Sequence, residues 1–320
     1  MRLYKLDKNL VGKKLGITLK TNKGIRIANS GTEISERLLQ KLEQYGFNAI
    51  YVEDDSIEVT ISETMPEEAR LILMEKLNNI YKRINKSDYL NESDLNNLIK
   101  EDLLPQLENG PVSLPVGTIA IDDNLAFHSL NVCFLVLETG KNYGFGREKL
   151  ETLAKAALLH DIGKILSSKY GESHEQKGFE FIKRTTNSVL LYNAVRFHHE
   201  TIDGEGPEKL EYRYQNDLVK ILSLCNYYEN LLTQERLLPN ECFERIQALT
   251  NFKFDSKAFD AFKKSIYVYP TGLMVELSNG IEGVVIEQNS NMPNRPVVIA
   301  NKVRYNLLEH LSLFIRTVKL

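Results

Sequence analysis

Between about residue 118 and residue 264 nearly every segment of this chain repeats its apolar residues at helical spacing. Five of its six histidines, His128, His160, His174, His198 and His199, fall inside that stretch. Leu150, Leu153, Ala154, Ala157 and Leu158 follow the i, i+3, i+4, i+7, i+8 rule and run directly into His160, the first residue of the string HDIGK. Packed helices can turn positions far apart in sequence toward one interior point. Imidazole nitrogens beside a carboxylate hold transition-metal ions, and two such ions serve phosphate-ester hydrolysis. A helical core has little other use for five imidazoles. The sixth, His310, has no partner in sequence and reads as a structural residue.

The flanks read differently. Residues 1–62 alternate short strands (KLGITLKT, GIRIAN, NAIYVED) around one helix, SERLLQKLEQYG, with Ser35 as its cap and Gly46 as its stop. Asn22, Lys23 and Gly24 mark a turn between the first two strands. Residues 63–115 are charged and helical in period, with Leu71, Met74, Leu77 and Ile80 as one stripe, and suggest a connecting arm. Pro105, Gly110, Pro111 and Pro115 interrupt it and mark a boundary. After the helical domain, 116–265, the last segment, 266–320, reads as a small β module whose strongest signal is a two-residue hairpin at Asn279-Gly280. The expected fold is mainly α, a central helical bundle with flanking α+β and β modules.

Composition narrows the function. A formal charge of −3 lacks the basic footprint of a general nucleic-acid binder, so no long nucleic acid is expected as partner, and a phosphate-bearing ligand must be held by local charges or metals. Cys133, Cys225 and Cys242 are scattered, without a CxxC pair, as in a reduced protein. The N-terminus lacks an apolar export core, and the strongest apolar run, Val132 to Leu137, is too short to span a bilayer. A cytoplasmic protein without membrane insertion is the expectation.

Around the histidines, a helix continued through Gly163 would put Lys164 on the face of His160, where its ammonium could hold a phosphate oxygen. A carboxylate such as Asp161 can bridge two ions, as imidazole cannot. The strings AALLHDIGK (156–164), HEQKGFEFI (174–182), HHETIDGEGP (198–207) and KILSLCNYYENLLTQER (220–236) resemble, in order and approximate spacing, the HD superfamily of metal-dependent phosphohydrolases, and within it the HD-GYP subfamily of cyclic di-GMP phosphodiesterases. The flanking strings 31–52 and 269–299 resemble the small modules seen on many members. The resemblance implies an HD-type bundle with two divalent transition-metal ions, iron or manganese, with zinc or nickel as alternatives. Their ligands would be His128, His160, Asp161 in the bridging place, His174, His198, His199 and Asn226. It implies hydrolysis of cyclic di-GMP to a linear dinucleotide or GMP by a metal-bridged hydroxide. Asp161, Lys164 and Glu229 would be catalytic, Glu229 beside the attacking water. Lys164, Arg236, Gly204 and Gly206 would be substrate-binding, and a homodimer is a candidate assembly.

The chain departs from the family pattern at named positions. Gly206 runs straight into Pro207 with no tyrosine; Asn226 stands for the last metal-binding aspartate; Asn124 stands where members with a third metal carry glutamate. The segment between Asp161 and His174 is short, and no second arginine follows Arg236. Two further readings stay open: an HD phosphohydrolase acting on other nucleotides or phosphoesters, and a non-catalytic cyclic-dinucleotide sensor. Tyr227 and Tyr228 read as packing residues, although they could stack on a base.

Overall fold

The computed structural model describes residues 1–319 except 56, 58, 60, 62, 106–109, 115–117 and 120–123. Pro115 and the expected boundary beside it lie outside the described residues.

The N-terminal module is built from β1 (Arg2–Lys5), β2 (Leu19–Thr21), β3 (Arg26–Ala28), α1 (Glu36–Tyr45) and β4 (Ala49–Val52). β1, which no sequence pattern announced, pairs antiparallel with β4, Leu3 opposite Tyr51. β2 pairs antiparallel with β3 and parallel with β5 (Thr118–Ile119). Ser35 Oγ accepts from Leu38 N at 3.2 Å, and Gly46 ends α1 in the left-handed region with φ 84°, as the sequence predicts. The long first strand expected from KLGITLKT is shorter, because residues 14–15 form only isolated bridges to Glu33 and Val52.

Ten α-helices occur in the described residues, nine of them in the helical region. They are α2 (Glu67–Ser87), α3 (Glu92–Asn97), which runs on into a π-helical stretch at Leu98–Leu103, α4 (Leu125–Tyr143), α5 (Arg147–Leu159), α6 (His174–Thr185), α7 (Val189–Arg196), α8 (Asp217–Thr233), α9 (Pro239–Leu249) and α10 (Ser256–Phe262). α4 is the central rod: Leu130, Val132, Cys133, Leu135, Val136 and Leu137 are all buried, so it is apolar on every side, as a helix enclosed by others must be. It packs against α2, α5, α8 and α10. Residues 67–103, expected as a connecting arm, bury Leu73, Met74, Leu77, Ile80 and Ile84 in the same apolar core as the central helices.

The C-terminal strands β6 (Met274–Leu277), β7 (Glu282–Glu287), β8 (Val297–Ala300), β9 (Val303–Asn306) and β10 (Ile315–Lys319) form one antiparallel sheet in the order β10-β6-β7-β8-β9. The β6–β7 hairpin lies where Asn279-Gly280 predicts one, but its loop has three residues. Glu276 pairs with Glu282, Leu277 N bonds Ile281 O, and Gly280 takes a positive φ of 82°. This sheet shares a core with the N-terminal module: Val275, Leu277, Val285 and Val298 pack with Leu3, Ala49, Tyr51 and Leu238. Tyr51 Oη donates to Thr271 O at 2.9 Å across that seam. No helix among the described residues is long and apolar enough to cross a membrane.

Candidate metal centre

Four elements bring the histidines together. Asn124 caps α4 through Oδ1, accepting from Phe127 N at 3.2 Å, and one turn later α4 presents His128. Ser173 caps α6, whose first residue is His174, and α7 ends at Arg196 just before His198 and His199. α5 stops at Leu159, His160 is its C-cap, and Asp161 lies in the bridge region with φ −99° and ψ 9°. A 3₁₀ turn, Ile162–Ile165, follows. The continuous helix through Gly163 is therefore a corrected expectation; Lys164 instead reaches back three residues, its Nζ 2.6 Å from Asp161 Oδ2.

Asp161 is the hub. Its Oδ2 lies 3.6 Å from His128 Nε2 and 3.5 Å from His160 Nε2, and its Oδ1 lies 3.2 Å from His174 Nε2 and 3.5 Å from His198 Nε2. Two groups that could hold a metal ion thus share this carboxylate: His128, His160 and Asp161, and Asp161, His174, His198 and His199. His160 and His198 are fully buried and Asp161 nearly so, while His174 and His199 are half-buried and mark the open side.

The outer nitrogens are spoken for. His160 Nδ1 donates to Ala157 O and His198 Nδ1 to Val195 O, each at 2.7 Å. His128 Nδ1 donates to Glu229 Oε2 at 2.5 Å, and His174 Nδ1 lies 3.3 Å from Glu175 Oε2. Such bonds place the ring proton outward and leave the Nε2 lone pair facing inward, as metal-binding histidines require. The inward pairs crowd: His128 and His160 approach to 3.0 Å between Nε2 atoms, and His174 and His199 to 3.3 Å. Asp161 Oδ1 and His198 Nε2 are buried with no hydrogen-bond partner among the described residues. Converging lone pairs and orphaned buried acceptors are costly unless a cation lies among them, so this donor set fits metal ions.

Ionisation agrees. Burial alone would raise Asp161, yet His160, His174 and His198 hold it far below the ordinary carboxylate range. Burial drives His160 well down and pushes His199 down to about 3, leaving both rings neutral and able to ligate. His128 moves the other way, because the Glu229 charge and hydrogen bond outweigh its burial.

Other sequence-predicted residues take different places. Glu229 is fully buried and holds its oxygens on His128, on Asn131 Nδ2 at 3.0 Å and on Thr233 Oγ1 at 3.1 Å. Where the sequence expectation puts it beside an attacking water, these three bonds tie it to His128, whose ring it positions. Replacing Glu229 by Gln should lower metal affinity about 10- to 100-fold, measured by chelator competition; unchanged affinity would show the ring is oriented without it. Asn226 is buried on α8, and among the described residues its side chain has one hydrogen bond, Oδ1 accepting from Asn230 Nδ2 at 3.5 Å. Arg236 is not brought to the cluster: its guanidinium lies across Gly46 and lines a cavity that contains none of the histidines. Gly206 packs on Glu200, where a Cβ would come within 2.6 Å of the carboxylate; Glu200 accepts from Glu208 N and Leu210 N, both at 2.7 Å, and so folds the loop back on itself. Gly204 is in the left-handed region with open space around it. Tyr228 is buried edge-on to Phe262, as a packing residue.

Sequence reasoning missed Glu175, Glu200, Asn131 and Thr233. Two of these were visible as the acid directly after a histidine, in His174-Glu175 and His199-Glu200. Asn131 and Thr233 carry no such mark, since they act only through Glu229.

Rings brought from separate elements around one shared carboxylate, four of the five backed by an acceptor at Nδ1, form a site that could hold metal ions. Residues 125–231 match the family described as HD domain. Cyclic di-GMP phosphodiesterase PA4108 of Pseudomonas aeruginosa is 29% identical over 189 residues, 52% of this chain and 45% of that one. Ribonuclease Y of Opitutus terrae is 43% identical over 51 residues, 16% of this chain and 10% of that one. Ribonuclease Y of Campylobacter fetus is 40% identical over 80 residues, 24% and 14% of the two chains. The chain thus spans less than half the length of these relatives. Among solved structures, Bd1817, an HDG"Y"P protein from Bdellovibrio bacteriovorus, aligns with a TM-score of 0.47 at 16% identity, over 81% of this chain and 97% of that one. Residues 125–231 of the chain are thus an HD domain.

Proposed function

We propose that this protein is a metal-dependent phosphodiesterase that opens cyclic di-GMP to a linear dinucleotide or GMP, using two divalent ions, iron or manganese. The observation that carries the reading is the division of Asp161: Oδ1 faces one set of imidazoles and Oδ2 the other, 3.2–3.6 Å away. When bound, ions at these two groups would supply an activated water and neutralise charge developing on the phosphoryl oxygens. His128, His160 and Asp161 would hold one, and Asp161, His174, His198 and His199 the other. Lys164, half-exposed and, among the described residues, tied by its ammonium to Asp161 alone, can swing that ammonium to a phosphoryl oxygen as substrate arrives. Glu229 fixes the His128 ring, and His174 and His199 line the open side through which a phosphodiester would enter. The PA4108 relative's activity supports cyclic di-GMP as the substrate. The test is a panel of cyclic di-GMP, mononucleotides and a generic phosphodiester with iron- or manganese-loaded protein. Turnover of cyclic di-GMP supports the proposal; hydrolysis of mononucleotides with cyclic di-GMP untouched overturns it.

A second reading, a cyclic-dinucleotide sensor without turnover, is favoured by Asn226, a buried neutral amide bonded to Asn230 in the family's aspartate place. Asn226→Asp should raise metal retention after dialysis against chelator, read by elemental analysis, because a charged ligand replaces a neutral one. Equal metal content in both proteins would put this position outside the site.

A further inference from the structure

Behind Glu229, where the N-terminal module, the bundle and the C-terminal sheet meet, lies a cavity of about 120 Å³. Neither the histidines nor Asp161 nor Lys164 line it. Asn131 and Thr233 do, and both donate to the Glu229 carboxylate, which accepts the Nδ1 proton of His128. The fully buried Glu229 therefore stands between the cavity and the metal-binding set, so a molecule held in the cavity is not the substrate of that centre.

The lining carries polar groups that the fold leaves unused. Arg236 has no carboxylate in ion-pair contact among the described residues. Gln288 spends its amide nitrogen on Tyr269 O and Thr271 Oγ1, while its Oε1 is buried and unpartnered among the described residues. Buried polar atoms are rarely left so without a reason. Glu63, the one carboxylate among the described lining residues, is already held by Arg70 at 3.0 Å. Phe47, Val112, Phe127 and Leu232 supply apolar walls. A cation without a carboxylate partner, one lone acceptor and apolar walls describe an anion with a compact apolar body and a single hydrogen-bond donor. Apolar cavities of roughly 150 Å³ take up benzene, so the body is about one ring in size.

We propose that this cavity is a regulatory site for a small hydroxylated aromatic carboxylate, its carboxylate on Arg236 and its hydroxyl on Gln288 Oε1, and that occupancy is felt at His128 through Asn131, Thr233 and Glu229. The coupling is reciprocal: whatever factor the ligand applies to metal affinity, the metal applies to ligand affinity. This inference does not depend on which phosphoester the metal centre takes.

Calorimetric titration of the metal-loaded full chain with 4-hydroxybenzoate, benzoate and 4-hydroxybenzyl alcohol tests it. 4-Hydroxybenzoate should bind, benzoate about three- to tenfold more weakly for want of one hydrogen bond, and the uncharged alcohol weakest of all. Arg236→Met should weaken both carboxylates about tenfold or more, and Gln288→Met should bring 4-hydroxybenzoate to the level of benzoate while leaving benzoate unchanged. Melting curves without ligand establish that each variant folds, and the order of the three compounds on the unaltered protein decides the matter if neither does. Chelator competition at saturating 4-hydroxybenzoate should show an altered metal affinity. No binding by either carboxylate, an alcohol that binds as well as the acids, or binding indifferent to both folded variants overturns the site; binding with unchanged metal affinity overturns its regulatory role.

Discussion

Asp161→Asn should leave the protein folded and unable to keep its metal, with affinity down by more than about 100-fold, beyond what loss of an orienting neighbour costs. The reason is the double duty of one carboxylate. Both oxygens face imidazole nitrogens, Oδ2 toward His128 and His160 and Oδ1 toward His174 and His198, so both metal-binding groups lose their common member. An amide of the same shape offers one oxygen, and its NH₂ turns donors toward ring nitrogens or toward Lys164, whose ammonium sits 2.6 Å from Oδ2. The negative charge that neighbouring imidazoles hold firmly ionised disappears. Elemental analysis after gel filtration, with far-ultraviolet circular dichroism as the folding control, reads the result. Full metal content in Asp161→Asn would mean that the histidines suffice and the shared carboxylate is incidental.

The difference between what was legible in the chain and what was not follows the range of the interactions. Ser35 and Gly46 act on backbone groups within a turn of themselves, so their roles can be read locally, and the structure has both as caps. The histidines were legible as a set because few other uses exist for so many imidazoles in a helical core. Where α5 stops was not legible: apolar spacing runs smoothly into His160, and the break at Asp161 is imposed by α6 packing onto the following turn. The residues that back the rings divide in the same way. Ala157 O and Val195 O come free with helical geometry, three residues before each histidine. Glu229 lies 101 residues from His128, and only the packing of α8 on α4 shows that it turns to the ring. What the arm 63–115 and the two end modules pack against was not legible for the opposite reason: an amphipathic stripe states that a face is covered, not what covers it. Leu73 and Leu77 are covered by the bundle, and Leu3 by the C-terminal sheet.

Gly163→Ala should cost at least about 1–3 kcal/mol, lower the melting temperature by several degrees and empty one side of the centre in preference to the other. The glycine of HDIGK is not there for a left-handed backbone, since it sits inside the 3₁₀ turn and has no positive φ. It is there because α6 begins on top of it: a Cβ at 163 would overlap the carbonyl oxygen of His174. Backbone cannot rotate aside as a side-chain tip can, so the start of α6 must move, and His174 with it. His174 Nε2 is 3.2 Å from Asp161 Oδ1, on the side that also holds His198 and His199. The opposite side, His128 and His160, keeps its own supports in Glu229 and Ala157 O. Gly163→Ala should therefore lose metal from the Asp161–His174–His198–His199 group first, seen as about half the metal content of the unaltered protein if both groups are filled there. Gly178→Ala is the matched comparison. Its Cβ would meet Val195 Cγ1 at 2.8 Å, a side-chain methyl that can give, so it should destabilise less and keep the ligands in place. Equal loss in the two variants would mean that tight packing in general, rather than the seat of His174 on Gly163, sets the geometry of that half of the site.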